Sequence, residues 1–474
     1  MPLLPRGGAL LLAGLLLARS ALAALPDPQI RAARFEAETG APWLALVRLQ
    51  AARQLGQLDH QARQADLLLG EMYLRQGLDL RAAEIFAGLG ETGGATADRA
   101  WFQLARLRHR RGEEEAALTA LARIRQPLAD QASEQERLLL EGELLLRKQR
   151  LPEAERRLRR LLEGRHKDSD RAGYARFNLA VTLFRAGRED EAREQLLVLS
   201  RQKGKERGLR TLSDKANLTL AYDRLEAGDI DAATAYFKKA RLGGPLSNTA
   251  LMGLGRAWAA QEKYKKALVP WLKLSKRDPA DPLVQDALLA VPYGFGKLNA
   301  YKQALQYYQQ ALNVFKLELE RIDKVEQQVH SGDMVRSLAA GFTADDVLQR
   351  EVLPALPKAS GASHLWRLFA THEFQELLRS YVRAGLSLEK IARWTSQMQT
   401  DDGLPPASRE ALLARADGLR SRLNALSARL GERMQALALQ ELERRRKRIQ
   451  AYTDETRFSI AQIYDYAAKR WGGQ

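Results

Sequence analysis

Residues 248–281 read NTALMGLGRAWAAQEKYKKALVPWLKLSKRDPAD, and their pattern is the clearest indication of the fold. It contains two short amphipathic helical patterns in 34 residues. The defining residues stand at offsets 7, 8, 11, 17, 20, 24, 27 and 32 of the unit, and they are Leu254, Gly255, Trp258, Tyr264, Ala267, Trp271, Leu274 and Pro279. A single helical pair leaves an apolar face that only a neighbouring pair can bury, so we expect further copies along the chain.

Six further copies match at the same offsets, with a period of 34 to 41 residues. They start at Arg63, Asp98, Gln135, Gly173, Asp214 and Gln285. Two of them depart from the pattern. One has Glu141 where leucine is expected, and another has Pro292 in place of a small residue, which predicts a kink or an early break in its first helix. The seven copies together cover residues 63–318.

This spacing resembles the tetratricopeptide repeat (TPR) family. In that family, small residues at offsets 8 and 20 let two antiparallel helices approach, and large residues at offsets 24 and 27 fill the space between units. The resemblance implies an all-α protein, with a right-handed TPR-like α-solenoid whose concave face is available for ligands. Residues 24–62, which include Phe35, Trp43, Leu46 and Leu49, are expected to form an N-terminal helical cap.

The pattern changes after the repeats. Residues 319–405 are expected to form a helical connector that is interrupted by glycines, Pro354 and Pro357. In residues 406–474, no proline follows Pro406 up to residue 469, and leucines recur at a spacing of three and four residues. This predicts a long, coiled-coil-like C-terminal helix that pairs between molecules, or a helical hairpin that turns near Gly431 and packs against the connector.

Residues 1–23 have the pattern of a secretory signal peptide. A weakly positive start precedes an apolar run over residues 7–18, and Ala21-Leu22-Ala23 supplies a cleavage site. We expect cleavage after Ala23, because Arg19 ends the apolar run well short of the ~20 residues that a membrane span requires. An uncleaved membrane anchor is the alternative. The mature chain is therefore predicted to be periplasmic, either soluble or peripherally bound to a membrane.

Composition excludes several classes of site. The 474 residues contain no cysteine, which excludes a disulfide scaffold, a thiolate zinc site, an iron–sulfur cluster and a cysteine nucleophile. Lysine and arginine number 75 against 58 acidic residues, and the net charge of +17 favours an acidic partner. Nucleic acid is not expected as a partner, because export would separate the chain from it. Peripheral contact with an anionic membrane or a glycan is an alternative use of the charge.

No catalytic or metal-binding motif is present. The six histidines are scattered without an HExxH pair. Residues 88–93 (GLGETG) match GxGxxG, but they follow a helical pattern instead of a strand, so we interpret them as a loop. No metal and no cofactor are predicted, and the chain is predicted not to be an enzyme. The less favoured alternative is an enzyme with a site in the connector that uses Glu373, His364 or His372 as acid or base.

The candidate binding surface lies on the first helix of each repeat. In the family that the sequence resembles, offsets 9 and 13 face the groove, and offset 13 is basic in five of the seven copies. Arginine pairs well with carboxylates, so the groove is predicted to bind a partner protein with acidic segments. The alternative is that offset 13 is simply a solvated helix position. The predicted groove residues are Arg75, Phe102, Arg106, Arg110, Arg147, Phe177, Phe184, Arg185, Tyr222, Arg256, Tyr293 and Lys297.

We therefore expect a non-enzymatic protein–protein interaction scaffold or adaptor of the bacterial cell envelope. One alternative is a glycan- or peptidoglycan-binding module, in which the groove aromatics would stack on sugar rings. The C-terminal helix is a candidate for homo-oligomerisation.

Overall fold

The computed structural model describes residues 27–39, 42–163, 170–202, 207–342, 362–400 and 405–471. These residues form twenty α-helices and no β-strand, which confirms the predicted all-α class. The predicted signal peptide, Pro354 and Pro357 lie outside the described residues. Over the described part of the chain, no helix has an apolar run long enough to cross a membrane.

The chain divides into two compact units, residues 1–195 and residues 196–474, and the division falls within the helix Glu189–Arg201. We call them unit 1 and unit 2. The helices up to the division are α1 (Pro28–Glu38), α2 (Pro42–Gln54), α3 (Ala62–Arg75), α4 (Asp79–Gly90), α5 (Ala95–Arg110), α6 (Glu114–Ala122), α7 (Gln131–Arg147), α8 (Leu151–Leu162), α9 (Asp170–Arg185) and α10 (Glu189–Arg201).

Unit 2 continues with ten helices in its described residues, the last of which is by far the longest. They are α11 (Arg207–Glu226), α12 (Ile230–Lys239), α13 (Ser247–Ala260), α14 (Tyr264–Ser275), α15 (Pro282–Lys297), α16 (Tyr301–His330), α17 (Asp333–Ala340), α18 (Ala362–Phe369), α19 (His372–Thr400) and α20 (Pro406–Trp471).

Each of the seven sequence copies is a pair of helices, from α3 and α4 to α15 and α16. The alanine at offset 20 is fully buried in every pair, and these residues are Ala82, Ala117, Ala154, Ala192, Ala233, Ala267 and Ala304. Glycine at offset 8 allows equally close packing. A Cβ on Gly70 would lie 2.5 Å from Cε1 of Phe86, which is too near for any side chain. The small residues therefore set the separation of the two helices within a pair.

A helical pair, α1 and α2, precedes the repeats where the cap was expected. Leu46 and Leu49 are buried in its core, at 4% and 0% exposure. Phe35 and Trp43 are instead 67% and 48% exposed, so these two aromatic residues do not belong to the core of the cap. Both lie on helices whose buried faces are filled by aliphatic side chains.

The predicted break at Pro292 does not occur, because α15 continues through this residue to Lys297. A proline inside a helix removes one backbone hydrogen bond. Leu288 and Val291, which precede Pro292 on the same helix, are 6% and 1% exposed. They pack into two different hydrophobic clusters. Burial of these flanking side chains outweighs the loss of the hydrogen bond.

Helix α16 runs for 30 residues and passes through residue 318, where the sequence analysis ended the repeats. Its buried residues continue on both sides of that point, with Phe315 and Ile322 at 0% exposure and Val325 at 4%. The second helix of the last repeat and the start of the connector are therefore one element.

Helix α20 is continuous over 66 residues, about 99 Å at ~1.5 Å per residue. The predicted long C-terminal helix is therefore confirmed, and the alternative hairpin with a turn near Gly431 does not form, although the packing against the connector expected for it occurs. Gln435 Nε2 donates to the Val329 carbonyl of α16 at 3.0 Å, and Arg433 lies 2.7 Å from Glu373 of α19. A glycine inside a helix costs only about 1 kcal/mol, and burial of the adjacent Met434 offsets that cost.

Candidate functional site

Four of the predicted groove arginines occupy equivalent places in unit 1. Arg75, Arg110, Arg147 and Arg185 are the final residues of α3, α5, α7 and α9. Unpaired backbone carbonyls at the end of a helix attract a cation. Helix-end chemistry is therefore one physical reason why this offset is rich in arginine, in addition to any role in binding.

Three of these arginines reach back to the preceding helical pair. Arg75 Nη1 donates to the Ala37 carbonyl of α1 at 3.3 Å, and Arg185 Nη1 donates to the Leu146 carbonyl of α7 at 3.2 Å. Arg147 Nη1 donates to Glu114 Oε1 at 3.0 Å, and this hydrogen bond holds the pKa of the Glu114 carboxyl below its usual value. The Arg147 side chain remains 56% exposed. We call Arg75, Arg147 and Arg185 the arginine row. The row joins successive helical pairs while its charges remain at the surface.

A second set of polar contacts links the first helices of successive pairs in unit 1, and we call it the first-helix ladder. It consists of Arg99–Glu71 at 3.5 Å, Arg106–Glu136 at 2.8 Å, Arg171–Glu136 at 3.8 Å and Asn178–Glu143 at 3.0 Å. Burial raises the pKa of the Glu143 carboxyl, and the amide of Asn178 partly opposes that shift. The face is therefore a mixture of cations and carboxylates, and several of its arginines already have carboxylate partners within the chain.

Sequence reasoning missed the carboxylates of this ladder. Glu71 and Glu143 occupy offset 9, the same offset at which Arg106 was singled out. Offset 9 therefore carries glutamate, arginine and glutamate in three consecutive copies. This alternation of charge was the feature of the sequence that could have indicated the ladder.

The aromatic residues of unit 1 are less accessible than predicted. Phe102 is 2% exposed and belongs to the core, so it does not present a surface to a partner. The Arg106 guanidinium covers its ring at 5.8 Å from the centroid. Phe177 and Phe184 are half-buried, whereas Tyr174 on the same helix is 43% exposed.

In unit 2, two predicted groove residues are engaged by other helices. Tyr222 is half-buried with its ring edge-on to Phe237 at 5.1 Å, and burial raises the pKa of its hydroxyl. Arg256 lies 3.7 Å from Asp286, and Asp286 also accepts a hydrogen bond from the Tyr452 hydroxyl of α20 at 2.5 Å. Burial, followed by this contact with Asp286, raises the pKa of Tyr452 to about 12. Helix α20 therefore shares Asp286 with Arg256, one of the predicted groove residues.

Tyr293 and Lys297 remain at the surface of α15. Tyr293 is 47% exposed, its ring is edge-on to Tyr264 at 6.2 Å, and Lys297 Nζ lies 5.5 Å from its centroid.

A lysine cluster that the sequence analysis did not identify lies on α12 to α14. Lys238, Lys263 and Lys266 each place an ammonium within 5.6 Å of the Trp258 ring. These residues are close in sequence, but the sequence alone does not show that they converge on one indole.

The alternative acid–base site is not assembled. His364 is 5% exposed and its Nε2 lies 3.1 Å from Oε2 of the fully buried Glu318, while Glu373 pairs with Arg433 and is 55% exposed. Burial alone would raise the pKa of Glu318, but hydrogen bonds from His364 and Arg321 outweigh it and hold the pKa below its usual value. The pair is closed to substrates and joins α16 to α18. The described residues contain no group of three or more metal-ligating side chains.

Comparison with known proteins agrees with this architecture. A tetratricopeptide repeat family model matches residues 139–203 and 218–282. No curated protein sequence matches the chain. The matched segments lie on helical pairs of the structure, and they contain tetratricopeptide repeats.

Three solved structures are similar to parts of the chain at low identity. A tetratricopeptide repeat protein from Parabacteroides merdae is 20% identical, with 56% of this chain and 97% of that chain covered and a TM-score of 0.35. The apo form of RapI is 14% identical, with 64% and 91% covered and a TM-score of 0.42. Pseudomonas aeruginosa PilF is 19% identical, with 48% and 96% covered and a TM-score of 0.33.

Proposed function

We propose that this tetratricopeptide repeat protein is a non-enzymatic scaffold of the bacterial cell envelope that binds acidic segments of partner proteins on the first helices of unit 1. Tetratricopeptide repeats mediate protein–protein interactions, and their stacked helices present an extended surface for this purpose. The net charge of +17 favours acidic partners in particular.

The observation that carries the proposal is the chemistry of the exposed helix-end arginines. Arg75, Arg147 and Arg185 already hold carbonyl or carboxylate oxygens at 3.0 to 3.3 Å. Guanidinium groups bind a peptide's carboxylates in the same way. Each of these arginines is exposed at the end of a helix, so its side chain can reach a partner's carboxylate.

Neutralising this row is expected to weaken binding of an acidic ligand about tenfold, because three exposed ion pairs of about 0.5 kcal/mol each are lost. The variant carries Arg75→Gln, Arg147→Gln and Arg185→Gln, since glutamine retains a hydrogen-bond donor. Binding of labelled poly-L-glutamate by the full chain is measured by fluorescence anisotropy at low and at physiological salt.

The matched control also removes three paired arginines of unit 1, but away from the first helices. It carries Arg81→Gln, Arg123→Gln and Arg150→Gln, whose partners are Glu84, Glu91 and Glu153 at 3.2, 3.0 and 2.6 Å. An equal loss of affinity in both variants would show that total charge, and not this row, determines binding.

The envelope location rests on residues 1–23, and its test is independent of binding. Expressed with its own N-terminus in a Gram-negative host, the chain is expected in the periplasmic fraction with Ala24 as its first residue. Cell fractionation and N-terminal sequencing measure both. Recovery of the intact chain from the cytosol would contradict the proposed location and leave the binding proposal standing.

A further inference from the structure

The first part of α20 carries a three-fold heptad repeat. Residues 412–432 read LLARADG, LRSRLNA and LSARLGE, so that each heptad begins with leucine and has arginine in its fourth place. We call the six residues concerned the heptad stripe. It consists of Leu412, Leu419, Leu426, Arg415, Arg422 and Arg429.

Most of this stripe is open to solvent. Leu419 and Leu426 are 42% and 39% exposed, and all three arginines are exposed. Helix α19 packs along α20 in the same unit, and the neighbouring Ala416 is 4% exposed. The helix thus has one covered side and one side where leucines remain in water. A row of large apolar side chains at coiled-coil spacing is stabilised when another helix covers it.

The arginines of the stripe have no carboxylate partner in the part of the chain that the structure describes. Within the described residues, no carboxylate lies within 4.0 Å of Arg415, Arg422 or Arg429, although Arg420 and Arg433 on the same helix have partners at 3.3 and 2.7 Å. Arg422 and Arg429 donate through Nε only to carbonyls of their own helix, at 3.3 and 3.4 Å. These three guanidinium groups are available to carboxylates of another molecule.

The register of the charges argues against a second copy as the occupant. With the leucines at position d of the heptad, the arginines stand at position g. A parallel pairing of two copies would place Arg415 beside Arg420 at position e, and an antiparallel pairing would place g arginines beside one another. Like charges meet in both orientations, so self-association through this stripe is opposed.

A bilayer is also a poorer fit than a helix. Helices that lie in a membrane interface combine basic residues with tryptophan or phenylalanine on the apolar face. Residues 406–433 contain neither, and their exposed apolar side chains are leucines and alanines in heptad register.

We infer that the heptad stripe is a docking site for an acidic amphipathic helix of a partner protein, which completes a three-helix bundle with α19 and α20. The partner helix carries leucine or isoleucine at a and d, and glutamate or aspartate where it faces the arginines. This site goes beyond the proposed function, since it lies on the C-terminal helix and does not depend on the repeat surface.

Two synthetic peptides of four heptads test the site on the full chain. Both have leucine at a and d, and one has glutamate at e and g while the other has lysine. Neither peptide pairs with itself, because its own charges repel. Fluorescence anisotropy at low salt is expected to show at least a tenfold preference for the glutamate peptide, as three ion pairs are gained with one and opposed with the other.

Charge reversal on the chain sharpens the test. A variant with Arg415→Glu, Arg422→Glu and Arg429→Glu is expected to prefer the lysine peptide, whereas a general loss of folding would abolish binding of both. The matched control reverses three exposed cations elsewhere on α20, namely Arg444, Lys447 and Arg448, and is expected to keep the preference for the glutamate peptide. The variant with Arg75→Gln, Arg147→Gln and Arg185→Gln is also expected to keep it, so the two binding proposals fail separately.

Three results would overturn the inference. The first is equal binding, or no binding, of the two peptides by the wild type. The second is a wild-type dimer in analytical ultracentrifugation that Leu419→Ser converts to a monomer, which would make a second copy the occupant. The third is binding to anionic phosphatidylglycerol vesicles that the triple glutamate variant loses, with no preference between the peptides, which would make a membrane the occupant.

Discussion

Replacing Arg137 with methionine is expected to lower the free energy of unfolding of its helical pair by about 3 kcal/mol, because two carboxylates lose their main counter-charge. Arg137 is 6% exposed and lies 2.6 Å from Glu134 and 3.0 Å from Glu141. Glu141 is itself 7% exposed and has a second partner in Arg157 at 2.7 Å. Urea unfolding followed by peptide-resolved hydrogen exchange over α7 and α8 measures the change.

The pH dependence of this loss follows from Glu134. Burial alone would raise the pKa of its carboxyl, but hydrogen bonds from Arg137 and from the Leu128 amide outweigh burial and lower the pKa. A depressed carboxyl pKa contributes stability above the usual value of 4.5, and the contribution disappears as pH falls through the folded-state pKa. The deficit of the variant is therefore expected to be largest at pH 7 and to shrink below about pH 4.5.

Two further variants serve as controls. One removes a buried carboxylate together with Arg137, and the other removes an arginine from a half-exposed ion pair. Adding Glu141→Leu to Arg137→Met is expected to restore at least half of the lost stability, because it removes a buried charge and installs the leucine found at this offset in most other copies. Arg150→Met removes a half-exposed pair with Glu153 and is expected to cost less than about 1 kcal/mol. A deficit for Arg137→Met that is the same at pH 7 and pH 4 would contradict the electrostatic explanation.

Gly255→Ala is expected to destabilise the pair formed by α13 and α14 by about 3 kcal/mol, because its Cβ would overlap the indole of Trp271. Trp271 is 3% exposed, so its ring has no free space into which it can turn. The gain in helix propensity from glycine to alanine, about 1 kcal/mol, opposes the loss but does not cancel it. Hydrogen exchange over α13 and α14 measures the difference.

The control for Gly255→Ala is a glycine at which an added Cβ would contact no other side chain. Gly418 lies inside α20, and a Cβ there would meet nothing within 4 Å, so Gly418→Ala is expected to stabilise α20 by up to about 1 kcal/mol. Combining Gly255→Ala with Trp271→Leu tests the overlap itself, since the smaller side chain makes room for the added methyl group. If the double variant is less stable than the sum of the two single changes predicts, steric overlap is not the cause.

The candidate site was predictable only in part. The arginine row could be found because its members recur at one offset, and the same recurrence places them at helix ends. The burial of Phe102 and the carboxylates that pair from helix to helix could not be found in this way, because they depend on neighbouring helices, and the paired charges are 28 or more positions apart. Charge pairing and accessibility are properties of neighbouring helices and not of one repeat.

The helical pairs of the repeats follow from local sequence patterns. Small residues at offsets 8 and 20, with an aromatic residue or leucine at offset 24, specify both the period and the buried face, since each helix needs only local periodicity and one close neighbour. Tertiary structure alone decided two other features. Glu141 breaks the repeat pattern, and only the packing of α7 on α8 shows that Arg137 and Arg157 neutralise it.

Gly431 is compatible with a turn or a helix. The contacts of α20 with α16 and α19 make one continuous helix, because burial along its whole covered side is worth more than a single glycine costs.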